Sequence, residues 1–334
     1  MTNKIRTIHY GLGSIGSGIA RLVAQRASLE IVGGIDVDEQ KVGKDMGKVI
    51  GLGQTLGLRV SSNSAAVFSQ TEADVVLHST GSYVEQVRPQ LIEIIEAGLN
   101  VVSTCEELAY PQAQYPALAE ELDTLARKHA VTLLGTGVNP GFAQDTIAIA
   151  ASGVCQDVKH ITVTRTVEAG ERRLPLQKKV GAGLTVAEFE EKARKREIRH
   201  VGLEESATMV AHALGWQLDK VEETMEPVIA EKPLKTQFVE VKEGQVSGIH
   251  QVARGFKDDQ ELIVLHLYMH IGAENPGDSV VIEGTPDIEL TIKGIHGDLA
   301  TAAMAVNAVP KVVNAPPGLM TMKDLPLVCP WLGD

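Results

Sequence analysis

The stretch "IHYGLGSIGSGIARL", residues 8–22, decides the fold of the first part of this 334-residue chain. Its first residues predict a strand, and the apolar residues three or four apart in its second half predict a helix. Gly11, Gly13 and Gly16 lie between the two. They allow, in turn, a tight turn, the approach of a pyrophosphate to the backbone, and close packing of helix on strand. In this strand–helix context the pattern indicates a dinucleotide-binding loop.

The loop and the amino end of its helix are predicted to hold the pyrophosphate, because free N–H groups and the positive end of the helix dipole lie there. The predicted cofactor contacts in this segment are Gly11, Gly13, Ser14, Ile15 and Gly16. The second strand ends at Asp36, where an acid is expected to bind the ribose 2′-hydroxyl. A carboxylate repels a 2′-phosphate, so the cofactor is predicted to be NAD or NADP with NAD slightly favoured. Lys41 is the residue that could reach a phosphate.

Strand and helix patterns alternate through the first 150 residues, which predicts a parallel sheet with right-handed crossovers. From about residue 155, successive strand patterns separated by turns such as "NPGDS" and "EGTPD" predict an antiparallel or mixed sheet. The small-residue helix pattern that begins at 296 is predicted to end at Pro310 and to return to the first domain. The predicted fold class is therefore α/β, a Rossmann-type doubly wound sheet followed by an α+β domain. The predicted domains are 1–145, with 296–334 packed back on it, and 146–295.

Composition excludes several classes of function. The net charge of −12 argues against a nucleic-acid partner, because phosphate contacts need clustered Lys and Arg. The three cysteines are widely spaced and form neither a disulfide framework nor a zinc motif. No apolar run approaches the roughly 20 residues that span a bilayer, and no signal-peptide pattern opens the sequence. We therefore expect a cytoplasmic protein without a membrane or nucleic-acid partner.

Two segments follow apolar strands at the edge where the cofactor is expected. The first is "LHSTGSY", residues 77–83, whose predicted contacts to the nicotinamide ribose are Ser79, Thr80, Gly81 and Ser82. Ser82 suits the N-cap of the next helix equally well. The second is "NVVSTCEELAYPQ", residues 100–112, which places Glu106 and Glu107 directly after a strand.

Glu106 and Glu107 are the predicted catalytic residues. A carboxylate in a partly dry pocket has a raised pKa, which suits proton exchange with an amine. Two adjacent acids on a turn cannot point the same way, so one is expected to face the site and the other solvent or a helix N-terminus. The alternative is that both are loop acids without a chemical role.

Substrate contacts are predicted from three further segments. The loop "GTGVNPGFAQD", residues 135–145, contributes Asn139, Pro140 and Phe142, and it also suits a domain hinge. Arg165 and His266 lie on predicted strands of the second domain, where His266 shares a face with other polar residues by the period of two. Arg172 and Arg173 are alternative carboxylate anchors or exposed loop charges. No metal site is predicted.

Six segments together resemble the 2,4-diaminopentanoate dehydrogenases and native amine dehydrogenases, within the wider dihydrodipicolinate reductase-like group. They are "GLGSIGSGIA", "DVDEQKVGKDMG", "HSTGSY", "STCEELAYP", "GTGVNPGFAQD" and "IHGDLATAAMAVNAVP…PPGLMTMKDLP", which together extend over nearly the whole chain. The resemblance implies NAD(P)-dependent, reversible oxidative deamination of a primary amine or diamino acid, with a carbonyl compound and ammonia as the other small-molecule partners. It also implies a homodimer formed through the second domain.

The family's catalytic glutamate maps by resemblance to Glu106 or Glu107. Spacing against the catalytic lysine of the more distant homoserine dehydrogenases slightly favours Glu106. Two alternatives remain open from the sequence. One is an NAD(P)-dependent reductase of another C=N or C=O substrate, of the dihydrodipicolinate reductase or homoserine dehydrogenase type. The other is a non-catalytic dinucleotide-binding protein, because a fold alone does not imply activity.

Overall fold

The structure is a computed structural model that describes residues 4–330 and 332. The chain divides into two compact units. The first consists of the chain up to Phe142 together with the part from His296 onward, and the second is Ala143–Ile295. Within the described residues, no helix is both long enough and apolar enough to cross a membrane.

The first unit begins with alternating strands and helices. These are β1 (Ile5–Tyr10), α1 (Ser14–Ala24), β2 (Leu29–Ile35), α2 (Met46–Val49), α3 (Ser64–Gln70), β3 (Val75–His78), α4 (Val84–Glu96), β4 (Asn100–Ser103), α5 (Pro116–Lys128) and β5 (Thr132–Gly135).

The second unit is built mainly of longer strands. Its elements are α6 (Thr146–Ser152), β6 (Asp157–Glu168), α7 (Leu174–Lys179), α8 (Val186–Arg194), α9 (Leu203–Ala213), β7 (Lys220–Ile229), β8 (Leu234–Lys235), β9 (Glu240–Val241), β10 (Val246–Lys257), β11 (Gln260–His270), β12 (Gly277–Thr285) and β13 (Ile288–Ile292). The chain then returns to the first unit with α10 (Gly297–Val313) and β14 (Gly318–Met320).

The sheet of the first unit has the order β14-β5-β4-β3-β1-β2, and all neighbouring strands are parallel. The predicted doubly wound Rossmann-type sheet is therefore confirmed. The chain passes from β1 to β2 on one side and then from β2 to β3 on the other side of β1, which makes the carboxyl ends of β1 and β3 the topological switch point. Ligands of open α/β sheets bind at such a point.

Short strands buried on both faces hold this sheet together. All four residues of β3, Val75–His78, are buried, as are all four of β5. Such strands are typical of parallel sheets with helices on both faces. Each large apolar side chain that is fully buried contributes about 1.5–3 kcal/mol. The last residue of β3 is an exception in this apolar strand, because His78 is polar and still completely buried.

Helix α10 returns to the first unit and packs against α1, with Ala302 near Gly18. The prediction that it ends at Pro310 is wrong, since the helix continues through Pro310 to Val313. A proline inside a helix removes one backbone hydrogen bond and crowds the carbonyl four residues earlier, but the buried side chains of Val309 and Val312 hold the last turn against the unit. The side-chain amide of Asn314 donates a hydrogen bond to the Pro310 carbonyl at 2.7 Å.

The sheet of the second unit has the order β13-β12-β6-β11-β10-β7. It is mixed, because β6 and β11 are parallel and the other neighbours are antiparallel. The predicted α+β domain is confirmed. Strand β7 was missed by the sequence analysis, because "KVEETMEPVI" carries charges in place of clean apolar alternation. It is an edge strand, where such residues and Pro227 are tolerated.

Candidate active site

The glycine loop after β1 has the geometry that the sequence predicts. Gly11 has φ +90°, and a Cβ atom there would lie 2.5 Å from the carbonyl oxygen of Ser79. A Cβ atom on Gly16 would lie within 2.4 Å of the Ser79 hydroxyl and even closer to the Gly11 carbonyl oxygen. Both positions therefore require glycine for close packing, which fixes the turn between β1 and α1.

Gly13 leaves an open space at the start of α1. A Cβ atom at this position would meet no atom within 4 Å, and Gly13 and Ser14 are both exposed. Gly13 is the N-cap of α1 and makes no side-chain cap, and the first described helical bond runs from the Ser17 amide to the Gly13 carbonyl. The N–H groups of Ser14, Ile15 and Gly16 lie ahead of that bond, at the positive end of the helix. The open space and the donors fit a pyrophosphate.

Asp36 lies one residue past β2 and is buried. Its carboxylate accepts hydrogen bonds from the backbone amides of Leu12 (2.7 Å) and Asp38 (2.9 Å) and from the ammonium of Lys41 (3.1 Å). Burial acts to raise the pKa of Asp36, but these donors together lower it below its usual value. Asp36 is thus ionised and tied to the glycine loop. Lys41 partly neutralises it and also pairs with Asp38 at 3.3 Å.

The segment after β3 lies beside the glycine loop. Ser79 donates a side-chain hydrogen bond to the Gly11 carbonyl at 2.9 Å, whereas Thr80 is exposed with its hydroxyl bonded inward. Gly81 and Ser82 are half-buried. Ser82 is not the N-cap of α4: the cap position is Tyr83, which makes no side-chain cap. The four predicted residues therefore meet the glycine loop at the switch point, and their contact with a ribose stays a prediction.

Glu107 is buried and supports the structure of the turn. It is 3 % exposed, and its Oε2 accepts a hydrogen bond from the Val84 amide at 2.8 Å. Its Oε1 lies 3.4 Å from the Tyr115 hydroxyl, and its own amide donates to the Ser82 carbonyl at 3.2 Å. Glu107 thus caps helix α4 and joins the turn after β4 to the segment after β3. An anion at a helix N-terminus is stabilising.

Glu106 is the more exposed of the two acids, since it is half-buried. It follows β4 at the same edge of the sheet where β1 and β3 end. Burial raises the pKa of the neighbouring Cys105 thiol far above its usual value, and the charge of Glu106 raises it further. Cys105 is therefore a buried thiol without nucleophilic character at neutral pH.

The turn with Glu106 rests on the end of β5. A Cβ atom on Gly135 would lie 2.3 Å from both the carbonyl carbon and the carbonyl oxygen of Leu108. Glu107, Leu108 and Ala109 form a single 3₁₀ turn that the absence of a side chain at Gly135 accommodates. The close approach sets the height of the turn above the sheet. Gly135 is not among the site residues predicted from the sequence, although its place at a strand end in a glycine-containing loop is a signal for such a role.

The loop after β5 is buried. Asn139 and Pro140 are buried and joined by a cis peptide bond, and Phe142 is half-buried. Gly141 has φ +123°, and a Cβ atom there would lie 2.4 Å from the Gly137 amide nitrogen. This loop is therefore tightly folded. The predicted substrate contacts of Asn139, Pro140 and Phe142 stay predictions.

Arg165 lies on the buried face of the second unit's sheet. It is 3 % exposed and forms an ion pair with Asp278, directly opposite on β12. Burial lowers the pKa of Arg165 and raises that of Asp278, while their mutual attraction opposes both shifts. Arg172 is also buried, and Arg173 is exposed. The pairing gives Arg165 a structural role, so anchoring of a substrate carboxylate stays a prediction.

His266 lies on the opposite face of that sheet. His250 and Tyr268 are its neighbours in a row of stacked rings, with His250 and Tyr268 centroids 4.0 Å apart. Nε2 of His250 lies 3.1 Å from Nδ1 of His266, and burial lowers the pKa of both rings. In residues 4–330 and 332, no group of three or more His, Cys, Asp or Glu residues could hold a metal ion.

Two family models match the chain. The 2,4-diaminopentanoate dehydrogenase C-terminal domain matches residues 142–334, and the dihydrodipicolinate reductase N-terminus matches residues 5–105. A 2,4-diaminopentanoate dehydrogenase from Acetoanaerobium sticklandii is 33% identical over 353 residues, covering 99% of this chain and 96% of that protein. An amine dehydrogenase from Streptomyces virginiae is 25% identical over 360 residues, covering 97% and 96%. A solved amine dehydrogenase from Mycobacterium smegmatis is 26% identical with a TM-score of 0.88, covering 99% and 98%.

Proposed function

This chain belongs to the 2,4-diaminopentanoate dehydrogenase family, and we propose on that premise that it is an amine dehydrogenase dependent on a nicotinamide dinucleotide. In one direction a primary amine, water and the oxidised cofactor give a carbonyl compound, ammonium and the reduced cofactor. The reverse direction is reductive amination. When bound, the nicotinamide ring supplies or accepts the hydride.

The observation that carries the proposal is that two adjacent acids, Glu106 and Glu107, differ in burial and in hydrogen bonding. Glu107 is buried and bonded to the amide of Val84, whereas Glu106 stays half-buried after β4. An acid already committed to a helix N-terminus cannot move protons without releasing that helix. Glu106 is therefore the residue that we assign to proton transfer.

In this proposal, Glu106 binds the nitrogen of ammonium or of the iminium and transfers protons. Its carboxylate accepts charge-assisted hydrogen bonds from ammonium or from the iminium formed when ammonia condenses with the carbonyl compound. It takes a proton from ammonium, which releases ammonia as the nucleophile. It then gives a proton to the hydroxyl group of the addition product, which leaves as water. The rigid turn on Gly135 holds Glu106 at one height above the sheet, which is the positional precision that such transfers need.

The proposed cofactor contacts lie on the glycine loop, at Asp36 and on the segment after β3. The amides at the start of α1 would hold the pyrophosphate, and Ser79, Thr80, Gly81 and Ser82 would lie by the nicotinamide ribose. Asp36 would hold the ribose next to the adenine. We propose that NAD is preferred over NADP, because Asp36 is ionised next to that ribose. The preference is small because Lys41 lies 3.1 Å from the same carboxylate.

The proposed substrates are small primary amines, including diamino acids. The 33% identity to a 2,4-diaminopentanoate dehydrogenase over nearly the whole chain supports a diamino acid. The resemblance to amine dehydrogenases supports a wider range of simple amines.

The decisive experiment measures oxidation of NADH and NADPH with a panel of small ketones and aldehydes, with and without ammonium. Half of the panel carries a carboxylate. The proposal requires oxidation that depends on ammonium, and it requires loss of turnover in E106Q with NADH affinity retained. E107Q is the matched variant, in which the neighbouring acid changes in the same way.

Three results would contradict the proposal. Oxidation without ammonium would indicate a carbonyl reductase. Binding of NADH without turnover of any amine or carbonyl compound would indicate a non-catalytic protein. Wild-type turnover in E106Q would remove Glu106 from the chemistry.

A further inference from the structure

His78 connects the two segments that carry the candidate cofactor and proton-transfer residues. It is the last residue of β3 and is completely buried. Its ring lies between Gln90 of α4 and Ser103, the last residue of β4. The ring is nearly perpendicular to that of Tyr10, at an interplanar angle of 78° and with centroids 5.7 Å apart. The sequence pattern alone indicates no role for His78, because its partners come from separate elements.

The proton positions on this ring are assigned from its hydrogen-bond partners. Nε2 of His78 lies 2.8 Å from the Gln90 Oε1, which can only accept, so the proton is on Nε2. Nδ1 of a neutral ring is then an acceptor, and the Ser103 hydroxyl donates to it at 2.8 Å. The Ser103 oxygen in turn accepts from the amide of Cys105 at 3.1 Å. Burial lowers the pKa of His78 to about 4, so the ring is neutral at physiological pH.

Nε2, on the side of the ring away from Ser103, also contacts the segment after β3. The Thr80 hydroxyl oxygen lies 2.8 Å from Nε2 of His78 and 2.5 Å from the Gln90 Oε1. Thr80 therefore donates to Gln90 and shares the Nε2 proton as an acceptor. The ring thus bonds through Nε2 to Thr80 in the segment after β3. Through Nδ1 and the Ser103 hydroxyl it is connected to the backbone amide of Cys105, the residue before Glu106.

We propose that His78 is a positioning residue that fixes the Thr80 segment and the Glu106 turn relative to each other at the switch point. The inference rests on the proposed function, since it takes Glu106 as the proton-transfer group and Thr80 as a cofactor contact. Each ring nitrogen has a separate task. Nε2 holds the cofactor segment, and Nδ1 holds the turn.

Two amide substitutions separate these tasks. In H78N, the amide oxygen replaces Nδ1 and still accepts from Ser103, but the donor toward Gln90 and Thr80 is lost. In H78Q, the amide nitrogen replaces Nε2 and still donates to Gln90, but the acceptor for Ser103 is lost. The test measures the NADH dissociation constant by fluorescence, kcat for ammonium-dependent oxidation, and the free energy of unfolding of each variant.

The expected results are opposite in the two variants. H78N raises the NADH dissociation constant about tenfold and keeps kcat within about twofold, since one hydrogen bond is worth roughly that factor. H78Q keeps the NADH dissociation constant and lowers kcat about tenfold or more, because small displacements of a catalytic group are costly. S103A reproduces the H78Q result, because it removes the same connection to Cys105.

His9 provides the matched control. It is a second buried histidine, on the neighbouring strand β1, and its ring bonds to the Thr7 hydroxyl at 3.2 Å. H9N is expected to lower stability without changing the NADH dissociation constant or kcat. The proposal is overturned if H78N and H78Q change both constants in parallel with stability, as a packing role requires, or if they change neither. NADH binding is measured without turnover. If E106Q were fully active, the proposed role of Glu106 would be wrong, but the effect of H78N on NADH binding could still be interpreted.

Discussion

The Oε2 atom of Glu107 lies 2.8 Å from the backbone nitrogen of Val84, the first residue of helix α4. We therefore expect E107A to lower the free energy of unfolding by about 1–2 kcal/mol, the usual effect of losing a helix cap. Urea unfolding measures it. E39A, which changes an exposed acid after β2, is the control and is expected to change stability by less than about 0.5 kcal/mol, as surface substitutions do. Equal losses in the two variants would show that Glu107 does not act as a cap.

The ion pair of Asp36 and Lys41 predicts a shift in cofactor preference. K41A removes the cation that lies 3.1 Å from the Asp36 carboxylate, so the preference for NAD over NADP should increase about tenfold, as loss of a close charge implies. D36N should decrease it. The ratio of kcat/KM for the two cofactors is the measurement. K48A, an exposed lysine on α2, should leave the ratio unchanged. An unchanged ratio in K41A would place the selectivity elsewhere.

Substitution of two glycines at the site is expected to have different effects, one on stability and kcat and the other on NADH affinity. A methyl group on Gly135 would meet backbone atoms of Leu108 at 2.3 Å and must displace the 3₁₀ turn. G135A should therefore lose stability and most of kcat while NADH affinity is kept. A methyl group on Gly13 meets nothing within 4 Å but fills the space for a pyrophosphate. G13A should fold normally and bind NADH more weakly. Unchanged turnover in G135A would show that the turn tolerates displacement.

The sequence predicted the sheet of the first unit because its signals are local. Gly11 and Gly16 are needed for close packing of the turn, Gly13 leaves space at the start of α1, and the strand–helix pattern around them identifies all three. The role of His78 could not be predicted, because it depends on Gln90 and Ser103 from two other elements. A buried polar residue at the end of an apolar strand was the only signal.

Local sequence patterns gave wrong or missing predictions where tertiary packing determines the secondary structure. Proline at 310 signals a helix end, but buried apolar residues on both sides of it keep the helix in place to Val313. The charged stretch of β7 has little strand alternation, yet pairing with β10 makes it an edge strand. The division of work between Glu106 and Glu107 also required the structure, because adjacent acids are indistinguishable until the helix that one of them caps is known.

The buried pair of Arg165 and Asp278 predicts a large effect on stability. D278N leaves the Arg165 guanidinium buried without its counter-charge, so the free energy of unfolding should fall by about 3–5 kcal/mol. R165M combined with D278L should recover most of the loss, because apolar residues of similar volume replace buried pairs well. The exposed pair of Lys235 and Glu240 is the control, and K235M should have no measurable effect. A mild D278N phenotype would mean that water reaches the pair.

His78 and His9 together predict acid sensitivity. Burial lowers the pKa of His78 to about 4 and that of His9 to about 3, whereas an unfolded histidine titrates near 6.5. Below pH 6.5 the unfolded state binds the extra protons, so stability is fully present above that pH and falls as the pH decreases toward the folded pKa values. Each histidine contributes a slope of up to about 1.4 kcal/mol per pH unit.

H9N removes one of these two titrations. Urea unfolding at pH 7, 6 and 5 should show that the wild type loses more stability on acidification than H9N. The stability gap between them should narrow by about 2 kcal/mol from pH 6.5 to 5, since one proton-linked slope is absent from the variant. Parallel pH profiles for the wild type and H9N would show that His9 is protonated in the folded protein or is not buried from water.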